Sequence, residues 1–222
     1  MQRWLLQSKR TQAWDTPINT VDAVYAFLKG NERFLEGRKT ENTVLKVDGK
    51  VLDASDRLGY VKTVVDGKHQ TLNAEKTGEG ISWGNIYAQF QQKSSDVENA
   101  STGIKIERKV IAKDGFAIGN RVKVQLTILA DRDYDFVEVV DKRPACFEPV
   151  NQLSGYRWGY YITPRDETTN YYIDRLSKGI HKIETEYYID RAGKYQSGSC
   201  VVQSAYSPEF RGIAKGEVII VK

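Results

Sequence analysis

Residues 121–130 read RVKVQLTILA, and every second side chain from Val122 through Val124, Leu126 and Ile128 to Ala130 is apolar. The positions between them are Lys123, Gln125, Thr127 and Leu129. Successive strand side chains point to opposite faces, so this segment is a β-strand with one core face and one mostly polar face. Working outward, the same texture predicts strands at 104–112, 136–140, 171–176, 180–190, 194–204 and 217–221. Turn dipeptides separate them at Asp114-Gly115, Gly119-Asn120, Lys178-Gly179 and Ala192-Gly193. About seven short strands in roughly 120 residues predict a mainly β chain ending in an antiparallel sandwich of immunoglobulin-like architecture. Residues 144–170 read as a long irregular insert in it.

Upstream the texture changes twice. Residues 91–103 are polar and read as a linker. Before them, Thr43–Val47 with Asp48-Gly49 and residues 50–53 form one hairpin signal. Residues 60–65, Asp66-Gly67 and 68–72 form a second, because Asp-Gly adopts the positive φ of a type I′ turn. Ile81 and Trp83 alternate in one register and Ile86, Ala88 and Phe90 in the other, which predicts a bulge or bend at Gly84-Asn85. Residues 2–29 read as helical. Thr16 suits an N-cap, Pro17 the first helical position, and Ile18, Val21, Tyr25 and Leu28 make an apolar stripe that Gly30 ends. Trp4, Leu5 and Trp14 point to an earlier helix and turn. Such a pair needs a tertiary partner, since short helices owe their stability to packing.

Composition narrows the function. The 222 residues carry 33 Lys+Arg against 29 Asp+Glu, a formal charge of +4, which argues against a dedicated nucleic-acid binder. Hydrophobic residues at 40% and charged residues at 28% describe a chain able to bury a core. No apolar run reaches the length of a transmembrane helix, and residues 1–10 lack a signal-peptide core. Two Cys, Cys146 and Cys200, and two His, His69 and His181, cannot complete a four-ligand zinc site of the usual kind. The cysteines are either one bridge or two buried thiols.

Several blocks in the last hundred residues resemble the final domain of bacterial alpha-2-macroglobulin-like proteins, which are large protease traps. They are Phe147-Glu148-Pro149, Asp174-Arg175-Leu176 before Gly179, the stretch 187–193 with Tyr195, and Tyr206-Ser207-Pro208-Glu209-Phe210-Arg211-Gly212. Trp14-Asp15-Thr16 with Thr20, Asp22, Ala23 and Val24 is similar to the last helices of that family's toroidal thioester domain. Trp83-Gly84-Asn85-Ile86-Tyr87 is similar to a closing strand of its small β-domain. The resemblance implies three parts: a helical stub at 1–30, a small CUB-like β-domain at 31–102 and a macroglobulin sandwich at 103–222. It implies the C-terminal end of a longer exported chain, periplasmic or at the cell surface. That region's partners are the remaining domains of the parent and, through them, target proteases. A thioester in this family needs Cys-x-x-Gln. Here Cys146 is followed by Phe147, Glu148 and Pro149, which has no side-chain amide, and Gln152 is out of register. The chain is therefore expected to be a mechanical, non-enzymatic element with no cofactor.

Other constellations are weaker. Asp131, Asp133 and Asp135 start like a calcium loop, but its glycine and last acidic positions hold Phe136 and Lys142. His181 has no nucleophile within a readable motif, and Glu184 with Glu186 reads as a solvated face. Tyr156, Trp158, Tyr160 and Tyr161 form an expected contact surface. Such aromatics stack on sugar rings, which makes a carbohydrate-binding sandwich the alternative function. They also serve simply as strand residues, and the family resemblance favours packing against a neighbouring domain.

Overall fold

The computed structural model describes residues 2–29, 43–52, 61–68, 71–77, 82 and 84–222. Helices α1 (Gln2–Thr11) and α2 (Pro17–Leu28) come first in the chain. The molecule divides into two compact units, Met1–Gln2 with Thr16–Gln89, and Arg3–Asp15 with Phe90–Lys222. Almost all of α1 therefore belongs with the C-terminal residues.

In the first unit, Thr16 caps α2 as expected. Its Oγ1 accepts the Asn19 N–H at 3.1 Å, and Pro17 occupies the first turn. Strands β1 (Thr43–Val47) and β2 (Lys50–Leu52) are joined by Asp48 and Gly49, both left-handed with φ of 46° and 81°. Strand β3 (Leu72–Lys76) pairs with the other side of β1, Leu45 facing Ala74 and Val47 facing Leu72. The second hairpin does not form: the turn falls at Gly67-Lys68, residues 61–65 lie in no strand, and β1 takes up β3 instead. Tyr60, His69, Ile81 and Trp83 lie outside the described residues, as does the Gly30 helix stop. Residues 84–92 lie in no strand, so no bulge is built at Gly84-Asn85.

The second unit is the sandwich. Its strands are β4 (Ala100–Thr102), β5 (Ile104–Ile111), β6 (Arg121–Ala130), β7 (Tyr134–Lys142), β8 (Phe147–Pro149), β9 (Gly155–Arg157), β10 (Tyr160–Pro164) and β11 (Thr168–Leu176). They continue with β12 (Gly179–Ile189), β13 (Gly193–Gln196), β14 (Cys200–Ser204), β15 (Arg211–Ala214) and β16 (Val218–Val221). One antiparallel ladder runs β8-β12-β6-β5-β4-β15-β14-β7-β11-β10-β9, and β13 with β16 makes a separate ribbon. The ladder folds over on itself at Gly103, where β4 meets β5 through a single bridge, Thr102 with Ile104. Inward side chains from both halves then form one core: Val122, Val124, Leu126 and Ile128 from β6, Val137 and Val139 from β7, Tyr171 from β11 and Tyr187 from β12. The expected mainly β, macroglobulin-like sandwich is what these residues build.

Three expectations are corrected. The 144–170 insert is not irregular, because it holds β8, β9 and β10, the last two closed by the tight turn Trp158-Gly159. Strands of three to five residues are too short for alternation to reveal. The Arg143 guanidinium ties the region together by donating to the carbonyls of Phe147, Asp166 and Thr168 at 2.8–3.0 Å. Likewise the segment 194–204 is two strands, β13 and β14, which leave for different sheets at residues 197–199, and β15 was not anticipated. The expected linker at 91–103 includes β4.

The layers are joined inside by polar groups. Arg108 on β5 donates to Asp141 on β7 at 2.8 Å, with side chains only 3% and 1% exposed. The same guanidinium reaches the Lys142 carbonyl and the Ser197 hydroxyl, and that hydroxyl accepts the Glu217 N–H ahead of β16. Tyr171 and Thr185 hydrogen-bond at 2.7 Å, Tyr187 and Thr169 at 2.9 Å. Burial raises both phenols, Tyr187 to about 12. Removing one member of a buried pair strands the other charge, so Asp141→Asn is expected to destabilise the sandwich by about 3–5 kcal/mol in urea unfolding. The paired change Arg108→Met with Asp141→Leu is expected to recover most of that loss.

Candidate functional site: a helix-docking corner

Where the ladder turns over, four segments converge. Gly103 has φ 73°, and a Cβ there would lie 2.8 Å from Phe210 Cδ1 as well as collide with the Tyr134 hydroxyl. Glycine is therefore required both for its left-handed backbone and for its missing side chain. Gly212 on β15 is needed for its missing side chain alone, since a Cβ there would meet the Ile104 carbonyl oxygen at 2.6 Å.

A second backbone feature aims the side chains. Phe136 is left-handed, with φ 57°, a costly conformation for a bulky residue. Pairing of β7 with β11 keeps one register across it, Val137 with Ile173 and Asp135 with Arg175. The buried set nevertheless changes parity on both strands, from Val137 and Ile173 to Tyr134 and Leu176. The ribbon is rotated there. Tyr134 turns inward to meet the Phe210 ring at 5.5 Å, while Asp135 becomes available at the rim and Phe136 stands outside, edge-on to Tyr206 at 5.4 Å.

Helix α1 docks on this corner by its carboxyl-terminal end. Arg10 forms an ion pair with Glu209, and its carbonyl accepts the Ser207 hydroxyl. The Ala13 N–H donates to the Asp135 carboxylate at 2.5 Å. The Phe210 ring is approached by two guanidinium groups, Arg10 at 5.6 Å and Arg132 at 5.3 Å. Arg132 is held by Asp131 at 3.0 Å, which also accepts the Tyr134 hydroxyl. The Arg132 hydrogen bond lowers the Asp131 pKa, and burial raises that of Tyr134.

Magnitudes identify the weak element. The Arg10 and Glu209 side chains are 45% and 30% exposed, and such pairs contribute about 0–1 kcal/mol. An exposed cation–π contact adds roughly 0.5–1 kcal/mol. Trp4 is 67% exposed, and α1 places no apolar side chain in the buried core. The hydrogen bonds, ion pair and cation–π contact that tie this end of the helix to the corner come from Arg10 and Ala13 and are individually weak, while Thr11 is buried and Leu5 and Leu6 are half-buried.

The residues expected to act from sequence are distributed elsewhere. Tyr156, Trp158 and Tyr161 are exposed on the β9–β10 hairpin, but Tyr160 turns inward and packs on Tyr171 at 5.7 Å. Tyr156 and Tyr161 meet at 61° and 6.4 Å, which is not a flat stacking platform. Cys146 and Cys200 are separate, fully buried free thiols, Cys146 in the turn before β8 and Cys200 on β14 opposite Asp141, so the bridge alternative is not formed. Burial raises both thiol pKa values. The three aspartates diverge: Asp131 takes Arg132 and Tyr134, Asp133 takes the Lys178 N–H, and Asp135 takes the Ala13 N–H just beyond α1. His181 hydrogen-bonds the Ser177 carbonyl, and Glu184 and Glu186 face Lys123 and Arg121. Arg10, Asp135 and Phe210 carried no local signal as a group; only the block 206–212 stood out.

These features have known counterparts. Residues 88–209, more than half of the chain, match the family model described as the bacterial alpha-2-macroglobulin MG10 domain. The chain belongs to the bacterial alpha-2-macroglobulin family. It is similar to a point mutant of Salmonella alpha-2-macroglobulin, with 27% identity, 58% of this chain covered and a TM-score of 0.52. The methylamine-reacted Salmonella protein matches at 28% identity over 58% of this chain, with a TM-score of 0.51. The native Escherichia coli alpha-2-macroglobulin agrees in fold, at 22% identity over 58% of this chain and a TM-score of 0.50. In each case the match covers 10% of the other chain. No curated protein matches. Among the described residues no helix is long and apolar enough to cross a membrane.

Gly103→Ala is expected to lower stability by about 2 kcal/mol or more, since left-handed strain and the Phe210 clash add. Chemical denaturation measures it. The depressed Asp131 pKa favours the folded state above the ordinary carboxylate range, and that contribution is lost as pH falls below about 4. Asp131→Asn should flatten this part of an acid-unfolding profile.

Proposed function

We propose that this chain is the C-terminal coupling region of a bacterial alpha-2-macroglobulin-like protease trap, with no catalysis of its own. The observation that carries the reading is the MG10 match over residues 88–209. It is supported by the docking of α1, which the family resemblance relates to the thioester toroid, on the Asp135–Phe210 corner. In this reading residues 1–30 are the end of the toroid, 31–102 a small CUB-like β-domain and 103–222 the terminal sandwich. The sandwich holds the toroid's end until bait cleavage changes what the parent chain requires of it. Partners are the other domains of the parent and, through them, the captured protease. The location is the periplasm or the cell surface, where the parent chain meets foreign proteases. The exposed Tyr156, Trp158 and Tyr161 hairpin is assigned to contacts with a neighbouring domain.

The test begins with the gene. The reading frame is expected to continue upstream of Met1 through a toroid-length segment. That longer chain, cut by a protease, is expected to retain it in a form that still hydrolyses small peptides while large substrates are spared. The 222-residue chain should neither inhibit proteases nor be retained on immobilised glycans. Glycan retention abolished by Trp158→Ala would replace the coupling role with carbohydrate binding.

A further inference from the structure

The α1 contacts have a property that a permanent structural helix lacks. The directed ones, an ion pair and two hydrogen bonds, come from Arg10 and Ala13, none of the α1 side chains enters the apolar core, and these contacts engage groups that the sandwich positions without α1. Tyr134 and Arg132 hold Phe210 from one side, Asp131 holds Arg132, and the rotated ribbon at Phe136 presents Asp135. The receiving surface is preformed, whereas a ten-residue helix is marginal in water by itself. Docking and helix formation are therefore linked for α1 and not for the corner.

We propose that Asp135, Ser207, Glu209 and Phe210, with Arg132 behind the ring, form a recognition socket for an arginine-bearing helix terminus, and that α1 is its exchangeable occupant. Glu209 neutralises the incoming guanidinium while the Phe210 face accepts it. Ser207 satisfies a carbonyl of the last turn, one of the acceptors a helix end leaves without an internal partner. Asp135 takes an amide just beyond the helix. The partner that fits is a short helix ending in an arginine on the face that meets the ring. When α1 leaves, it unfolds and exposes Arg10.

Consequently α1 behaves as a strap across the chain. Residues Thr16–Gln89 lie between α1 and the rest of the sandwich unit in sequence, so a docked α1 gives that segment two attachments to one unit. Release leaves one. The inference rests on the coupling role only for the use made of release, not for the socket itself.

Hydrogen exchange of the whole 222-residue chain tests it. Amides of residues 5–11 are expected to exchange by local opening at least about a hundredfold faster than those of β6, and faster still in 1 M salt, which screens exposed charge. Arg10→Ala should accelerate them about tenfold further and leave β6 unchanged. Glu209→Gln should act in the same direction, which guards against a folding defect in any one variant. A labelled peptide of residues 2–15 should bind the Arg10→Ala chain, and a peptide carrying Arg10→Ala should not. Protection of α1 equal to β6, indifference to both substitutions, or equal binding of the two peptides would overturn the socket. Those results would leave the coupling role standing as a rigid connection. Normal exchange with a longer chain that traps no protease would remove the coupling role and leave the socket.

Discussion

The ion pair between Arg108 and Asp141 is the constraint on which the sandwich is organised. It joins β5 in one layer to β7 in the other, and through Ser197 it fixes the approach to the β13–β16 ribbon. Burying two charges carries a desolvation cost that only close geometry and further hydrogen bonds offset. Here the Lys142 carbonyl and the Ser197 hydroxyl provide them. A sandwich of apolar strands alone could slide by two residues and still bury similar surfaces. A buried guanidinium that must meet one carboxylate permits one relative placement of the layers, and Tyr171 with Thr185 and Tyr187 with Thr169 agree with it.

From that register follows the corner. With the layers fixed, β15 must pass close to β5, and glycine at 212 is what lets the backbones approach, while glycine at 103 leaves room for the Tyr134 and Phe210 side chains. The cost of a left-handed phenylalanine at 136 is accepted in the same place. It converts an ordinary strand pair into a rotated ribbon that sends Tyr134 inward and Asp135 toward α1. Strained residues that survive in a structure are held by their surroundings, and here the surroundings are the Tyr206 edge contact and the β7–β11 pairing that resumes in the same register on either side of Phe136.

What could be read from the sequence follows the same physics. Strand β6 was legible because ten residues of alternation leave one reading, and the Asp48-Gly49 hairpin because two left-handed positions need those residue types. Strands β8, β9 and β10 were hidden because three to five residues carry no period, and the 194–204 segment because its two strands join different sheets. The docking corner was illegible for a different reason. Arg10 and Glu209 are 199 positions apart, and nothing local to either records the other. Tyr160 was assigned to the surface because aromatic residues in a row look alike in sequence, while the strand pleat turns it away from Tyr161.

The placement of the α1 contacts also determines where a pull would be felt. Tension on α1 passes along the helix and meets a directed anchorage at Arg10, where Glu209 and Phe210 grip the chain. The force is handed to the β-sandwich there. Residues from Thr16 onward follow the grip in sequence, so tension carried along the backbone reaches the sandwich before it reaches them, as a conductor is relieved by the clamp of its cable.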